Sequence, residues 1–139
     1  MERDELETFA APVVNFCLLA RETVILSPAA TRRSIKLTCF QWARTRAHAP
    51  KLAAVQLSGS AALRQRLQAI RAELHGHVIN EPLPAERGDR WNLSSDCIEE
   101  LWFEDMGAAL RAARFLSTAS RQGIDTITVL TNEVILYEG

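Results

Sequence analysis

The chain has 139 residues, 47% of them hydrophobic and 24% charged, with a formal net charge of −1. That is the length and composition of one ordinary globular domain, long enough to bury a core without staples. It excludes a disordered chain, and the charge balance offers no basic surface to nucleic acid or to an anionic membrane.

The three cysteines, Cys17, Cys39 and Cys97, are odd in number and widely spaced. They form neither a disulfide framework nor a CxxC pair for zinc, and read as reduced thiols packed as small hydrophobes. The first residues, Met-Glu-Arg-Asp-Glu-Leu-Glu, are acidic where a signal peptide is basic. The longest apolar stretches contain Pro12 and Asn15 and fall short of a membrane span. A cytoplasmic location with no membrane contact is expected.

Residues 1–34 read as an N-terminal extension. Leu6, Phe9, Ala10, Val13, Cys17 and Ala20 follow a helical period that Pro12 interrupts, and Thr23-Val24-Ile25-Leu26 is a short apolar run stopped by Ser27-Pro28. The domain proper is expected over residues 35–139. Residues 35–42 alternate and are rich in strand formers; residues 51–57 are a second, weaker strand candidate, and either could be the first core strand. Ser58-Gly59-Ser60 breaks the pattern and offers an N-cap.

The clearest helix follows, with Leu63, Leu67, Ile70 and Leu74 in one apolar stripe and Gly76 at the expected stop. His77-Val78-Ile79-Asn80 reads as a strand closed by Pro82 and Pro84, then a polar loop carries Trp91, and residues 97–104 form the next strand. Asp105 is the expected N-cap of a second helix, whose buried stripe is predicted to be Met106, Ala109, Leu110, Ala113 and Leu116. Residues 123–130 are β-prone, and residues 133–137 form a terminal strand. Leu67 and Leu110 are both expected in mid-stripe against the core.

Strand, helix, strand, strand, helix, strand is the split βαβ order of a ferredoxin-like α+β domain with an antiparallel sheet. Helices cover one face of such a sheet. A second copy of the chain is the expected cover for the other, giving a dimeric α+β barrel.

Strand alternation sorts the candidate functional residues. Cys97, Glu99, Leu101 and Phe103 point one way, with Leu101 and Phe103 the better candidates to meet the helices; Ile98, Glu100, Trp102 and Glu104 point the other. Glu100, between Ile98 and Trp102, reads either as a general acid–base or as a solvated rim carboxylate. His77, sharing a face with Ile79, reads as a proton-transfer group or as a hydrogen-bonded structural histidine. Trp91 and Trp102, with Ile98 and Ile79, are candidates to line a pocket for a hydrophobic or aromatic ligand, or to fill core and dimer contacts. No GxGxxG, GxxxxGK[ST], GxSxG or HExxH is present, and His75 and His77 find no third ligand at metal spacing. No cofactor and no metal are expected.

The run Asp96-Cys97-Ile98-Glu99-Glu100-Leu101-Trp102-Phe103-Glu104-Asp105, followed by a helix, resembles the D-G-x-x-E-L-W-F-D-D signature of the EthD-like proteins. His77-Val78-Ile79-Asn80 resembles their second strand, with His77 where tyrosine is usual; His48-Ala49-Pro50 resembles their His-Ala-Pro, and Asn132-Glu133-Val134 the start of their last strand. The resemblance spans roughly residues 35–139. It implies a homodimer of α+β barrels whose sheets enclose small-molecule pockets, in a family linked to the degradation, isomerisation or cyclisation of organic compounds. Three functions stay open: an enzyme without a cofactor, with His77 and Glu100 moving protons; a non-catalytic binding or accessory protein with the same pocket; and a structural dimer.

Overall fold

The computed structural model describes residues 20–28, 33–83, 95–118 and 123–134. The strands are β1 (Ala20–Leu26), β2 (Arg33–Ala43), β3 (Gly76–Pro82), β4 (Cys97–Phe103) and β5 (Ile124–Val134). A 3-10 turn (Arg46–Lys51) leads into α1 (Leu52–Ser58) and α2 (Ser60–Ala69), and α3 (Met106–Thr118) joins β4 to β5. The five strands form one sheet in the order β1-β3-β4-β2-β5, with each neighbouring pair antiparallel. This is an α+β fold with a five-stranded antiparallel sheet and three α-helices among the described residues.

Alternation decides which face is covered. Ile35, Leu37 and Cys39 of β2 and Leu101 and Phe103 of β4 pack against Leu63 and Leu67 of α2 and Ala108, Ala109 and Ala112 of α3. A smaller cluster joins Ala43, Ile79 and Cys97 to Leu52 and Ala53 of α1. The opposite face carries Lys36, Phe40, Ile98, Glu100 and Trp102, with Val24, Ile127 and Val129 about half exposed. No described helix is long and apolar enough to cross a membrane.

Several expectations are corrected. Residues 52–58 are helical, and the weaker strand candidate is withdrawn. Leu52, Ala53 and Gln56 are buried, at helical spacing, while Val55 and Leu57, which made the segment look alternating, are exposed. The α2 N-cap is Gly59 with no side-chain cap; Ser58 and Ser60 instead donate to Val55 O and Leu57 O.

Helix α2 ends at Ala69, and the left-handed residue of its stop is Arg71, with φ 60°, rather than a glycine. Ala72 N–H bonds Leu67 O at 2.9 Å and Arg71 N–H bonds Gln68 O at 3.1 Å, the paired bonds of a Schellman ending. Arg111 of α3 then donates to Ile70 O and Arg71 O, satisfying carbonyls the helix leaves open. Gly76 belongs to β3 and serves close approach: a Cβ there would stand 2.9 Å from Pro28 Cα and 3.0 Å from Trp102 Cε3.

Asp105 caps α3 as expected, accepting from Ala108 N–H at 2.8 Å. Of the expected stripe of α3, Ala109 is buried and Ala113 and Leu116 pack partly against the core, but the fully buried residues are Ala108, Ala109 and Ala112, while Met106 is 43% and Leu110 46% exposed. Small residues let the helix lie close to a sheet whose own large side chains fill the core, so the stripe follows the alanines. The two C-terminal β-prone stretches form a single strand as far as Val134; residues 135–137 lie outside the described residues.

Candidate functional site

The sheet register brings three polar side chains together on the helix-covered face. His77 stands opposite Leu101 and Ile79 opposite Glu99, so His77 and Glu99 are diagonal neighbours on β3 and β4. Across the other side of β4, Cys39 faces Glu99 and Gln41 faces Cys97, which sets Gln41 diagonal to Glu99. Gln56 descends from α1. The four form one chain: Gln56 Nε2 donates to Gln41 Oε1 at 3.0 Å, Gln41 Nε2 to Glu99 Oε1 at 3.3 Å, and Glu99 Oε2 lies 3.0 Å from His77 Nε2.

His77, Gln41 and Glu99 are 1–2% exposed and Gln56 is 7% exposed. Polar groups so far from water are costly unless paired, and the direction of these bonds is consistent along the chain. Each amide donates toward the carboxylate, and the carboxylate fixes the imidazole by one nitrogen. Opposite a carboxylate, Nε2 is the ring nitrogen that donates.

His77 also lies at the base of an open cleft of about 260 Å3. One wall is Ile25 and Leu26 of β1, and the other is the first turns of α2 with Arg64 and Gln65, closed by Leu74. The β1 wall owes its shape to a bulge: Val24 pairs with Val78 and Leu26 with His77, leaving Ile25 as an extra residue. Ile25 and Leu26 both turn toward the helix side, where they pack on the two core clusters.

The predicted site residues therefore separate. His77 lines a cleft on the helix-covered face of the sheet, and Ile79 shares that face but is fully packed in the smaller core cluster. Glu100 is paired with Val78 and Thr38 on the opposite side of the sheet, so His77 and Glu100, the two expected proton-transfer groups, lie on different faces. Ile98 and Trp102 are with Glu100, each 8% exposed, and Lys36 Nζ stands 5.6 Å from the centre of the Trp102 ring. Trp91 lies outside the described residues.

Glu99, Gln41 and Gln56 are the residues that sequence reasoning missed. The signal for two of them was present: Glu99 alternates with Leu101 and Phe103, and Gln41 with Leu37 and Cys39, on strand faces that are otherwise apolar. A polar residue at an inward position needs a polar partner, and two such positions on paired strands point to each other.

A second polar cluster is structural. Asp96 accepts from Ala43 N–H at 2.8 Å and from Arg46 Nη2 at 2.7 Å, while Arg46 also donates to Ala43 O, clasping the end of β2 to the start of β4. Cys39 and Cys97 are buried and in no disulfide. Among the described residues, no group of three or more His, Cys, Asp or Glu side chains is placed to hold a metal ion. In comparisons with known proteins, no family model and no curated protein matches this chain.

Proposed function

We propose that the chain binds a hydrophobic or aromatic small molecule in the His77 cleft and moves a proton on it, as a cytoplasmic dimeric α+β barrel. The observation that carries this reading is His77 at the base of the cleft with Nε2 held by a buried carboxylate. Held that way, Nδ1 meets the cleft occupant as a base. It takes a proton from a carbon next to a carbonyl, whose oxygen receives the electron pair. Glu99 stabilises the imidazolium as it forms, and Gln41 and Gln56 keep the carboxylate aimed. Return of the same proton to a second carbon completes an isomerisation with no outside electron acceptor or donor.

The strand order supports the ferredoxin-like reading. With β1 set aside, β3-β4-β2-β5 is the split βαβ sequence of neighbours, and the Asp96–Asp105 run that resembles EthD-like proteins covers β4 and the cap of α3. The half-exposed Val24, Ile127 and Val129 on the open face support a homodimer through that face. A clean monomer by light scattering at micromolar concentration would remove the barrel.

The catalytic test starts from compounds found by thermal stabilisation of the protein. His77→Gln and Glu99→Gln are expected to lower turnover of such a compound by about 10²–10⁴-fold. Full turnover in both variants ends the catalytic reading. Stabilisation by ligands that are not turned over, lost in His77→Gln, would make the cleft that of a binding or accessory protein.

A further inference from the structure

Among the described residues, Arg64 is the one permanently charged side chain lining the His77 cleft, and no carboxylate lines it. Other arginines are engaged: Arg46 on Asp96, Arg44 on Asp125, Arg21 near Glu81 and Arg111 on the carbonyls of Ile70 and Arg71. Arg64 has no hydrogen-bond or ion-pair partner among the described residues. A guanidinium at the rim of an apolar-walled cleft is suited to a planar anion, which it can engage through two parallel N–H donors.

We propose that the cleft selects small carboxylic acids with an apolar or aromatic body. The carboxylate sits on Arg64, the body on Ile25, Leu26 and Leu74, and the reacting carbon points down to His77. The inference rests on the cleft reading above and adds the substrate class and its orientation.

Charge at the two ends sets the orientation. Glu99 lies behind His77 at the base and repels an anionic group there, while Arg64 attracts it at the mouth. An acid therefore enters body first. The cleft volume of about 260 Å3 suits a one- or two-ring acid. Gln65, one residue along α2, adds a neutral donor beside Arg64 for the second carboxylate oxygen.

The experiment uses the intact chain and matched pairs: benzoate, cyclohexanecarboxylate and 2-naphthoate, each against its primary amide, with affinity read by calorimetry and thermal shift. At least one acid is expected to bind at least about tenfold more tightly than its amide, the size of a charge-assisted pair near the surface, and the gap is expected to shrink as salt rises. Arg64→Gln is expected to abolish the gap without lowering the melting temperature, because Arg64 is exposed and holds nothing in the fold. Arg66→Gln, exposed on the same helix but away from the cleft, is expected to keep the gap.

Equal binding of acids and amides, or a preference that survives Arg64→Gln, overturns the proposal. If ligands bind in that case and His77→Gln weakens them, the cleft reading stands with a neutral substrate. If neither series binds and no hydrophobic compound stabilises the protein, both fall.

Discussion

The two faces of the sheet use polar residues in opposite ways. On the helix-covered face, Gln41, His77 and Glu99 are as deeply buried as the leucines around them, and each is held by another. On the open face, Glu100 and Lys36 are partly exposed and keep contact with water. Removal from water forces the first set into one geometry, because every unpaired donor or acceptor there would be costly. The second set is under no such demand. The fixed chain of polar groups is accordingly found under the helices, one residue along β4 from the carboxylate that the sequence made most conspicuous.

The largest expected effect is on the covered face. Glu99→Ala would leave the donors of His77 and Gln41 facing each other across an empty, dry space. Breaking a buried pair by removing one partner costs about 3–5 kcal/mol. Urea melts should show that loss; one below about 1 kcal/mol would mean that water reaches the chain of polar groups and that the two faces differ less than their burial indicates.

Next is a contrast between two leucines that look alike in the sequence. Leu67 is fully buried against the sheet, and Leu67→Ala is expected to cost about 2–5 kcal/mol. Leu110 is 46% exposed, and Leu110→Ala is expected to cost less than about 1 kcal/mol. Equal losses would return Leu110 to the core and rotate α3.

That contrast also marks how far the sequence could be read. Strand β2 was legible because alternation of large apolar residues is a direct image of a two-sided sheet, and β3 and β4 were legible as short runs of strand-forming residues, β3 closed by prolines and β4 followed by the Asp105 cap. The stripe of α3 was not, because periodicity is scored on large side chains and this interface is made by Ala108, Ala109 and Ala112. Short α1 was hidden for the opposite reason: exposed Val55 and Leu57 mimicked a strand. In the site, His77 was legible as a proton-transfer residue type on a strand. Its partner required the register between β3 and β4, which a single sequence does not contain, and a shift of one residue exchanges Glu99 for Glu100.

On the open face the first test is Gly76→Ala. The added methyl would meet Pro28 Cα at 2.9 Å and Trp102 Cε3 at 3.0 Å, and the proline contact is backbone, so the β1 end of the sheet must move. A cost of about 1–3 kcal/mol is expected. Because Trp102 is packed over this glycine, a red shift of its emission should accompany the loss. An unchanged melt would show that Pro28 gives way freely and that the aromatic cover of the open face is loose.

The smallest expected effect is the most informative about the comparison. Glu100 stands between Val78 and Thr38 in the register, partly exposed and on the opposite side of the sheet from the His77 cleft. Glu100→Gln keeps the shape and removes the charge. In a single chain this should change stability by no more than about 0.5 kcal/mol, as for other substitutions of partly solvated side chains, and leave ligand binding in the cleft untouched. Burial of the open face between two copies alters the expectation in one respect. Two carboxylates would be drawn toward a dry interface, so the amide should favour association and raise the melting temperature more at high than at low protein concentration. Melts of both proteins over a hundredfold range of concentration separate the cases. A difference that grows with concentration places Glu100 in the dimer contact. A difference that is small and constant leaves it on a wet face. A loss of cleft binding in Glu100→Gln would contradict the division of labour between the two faces altogether.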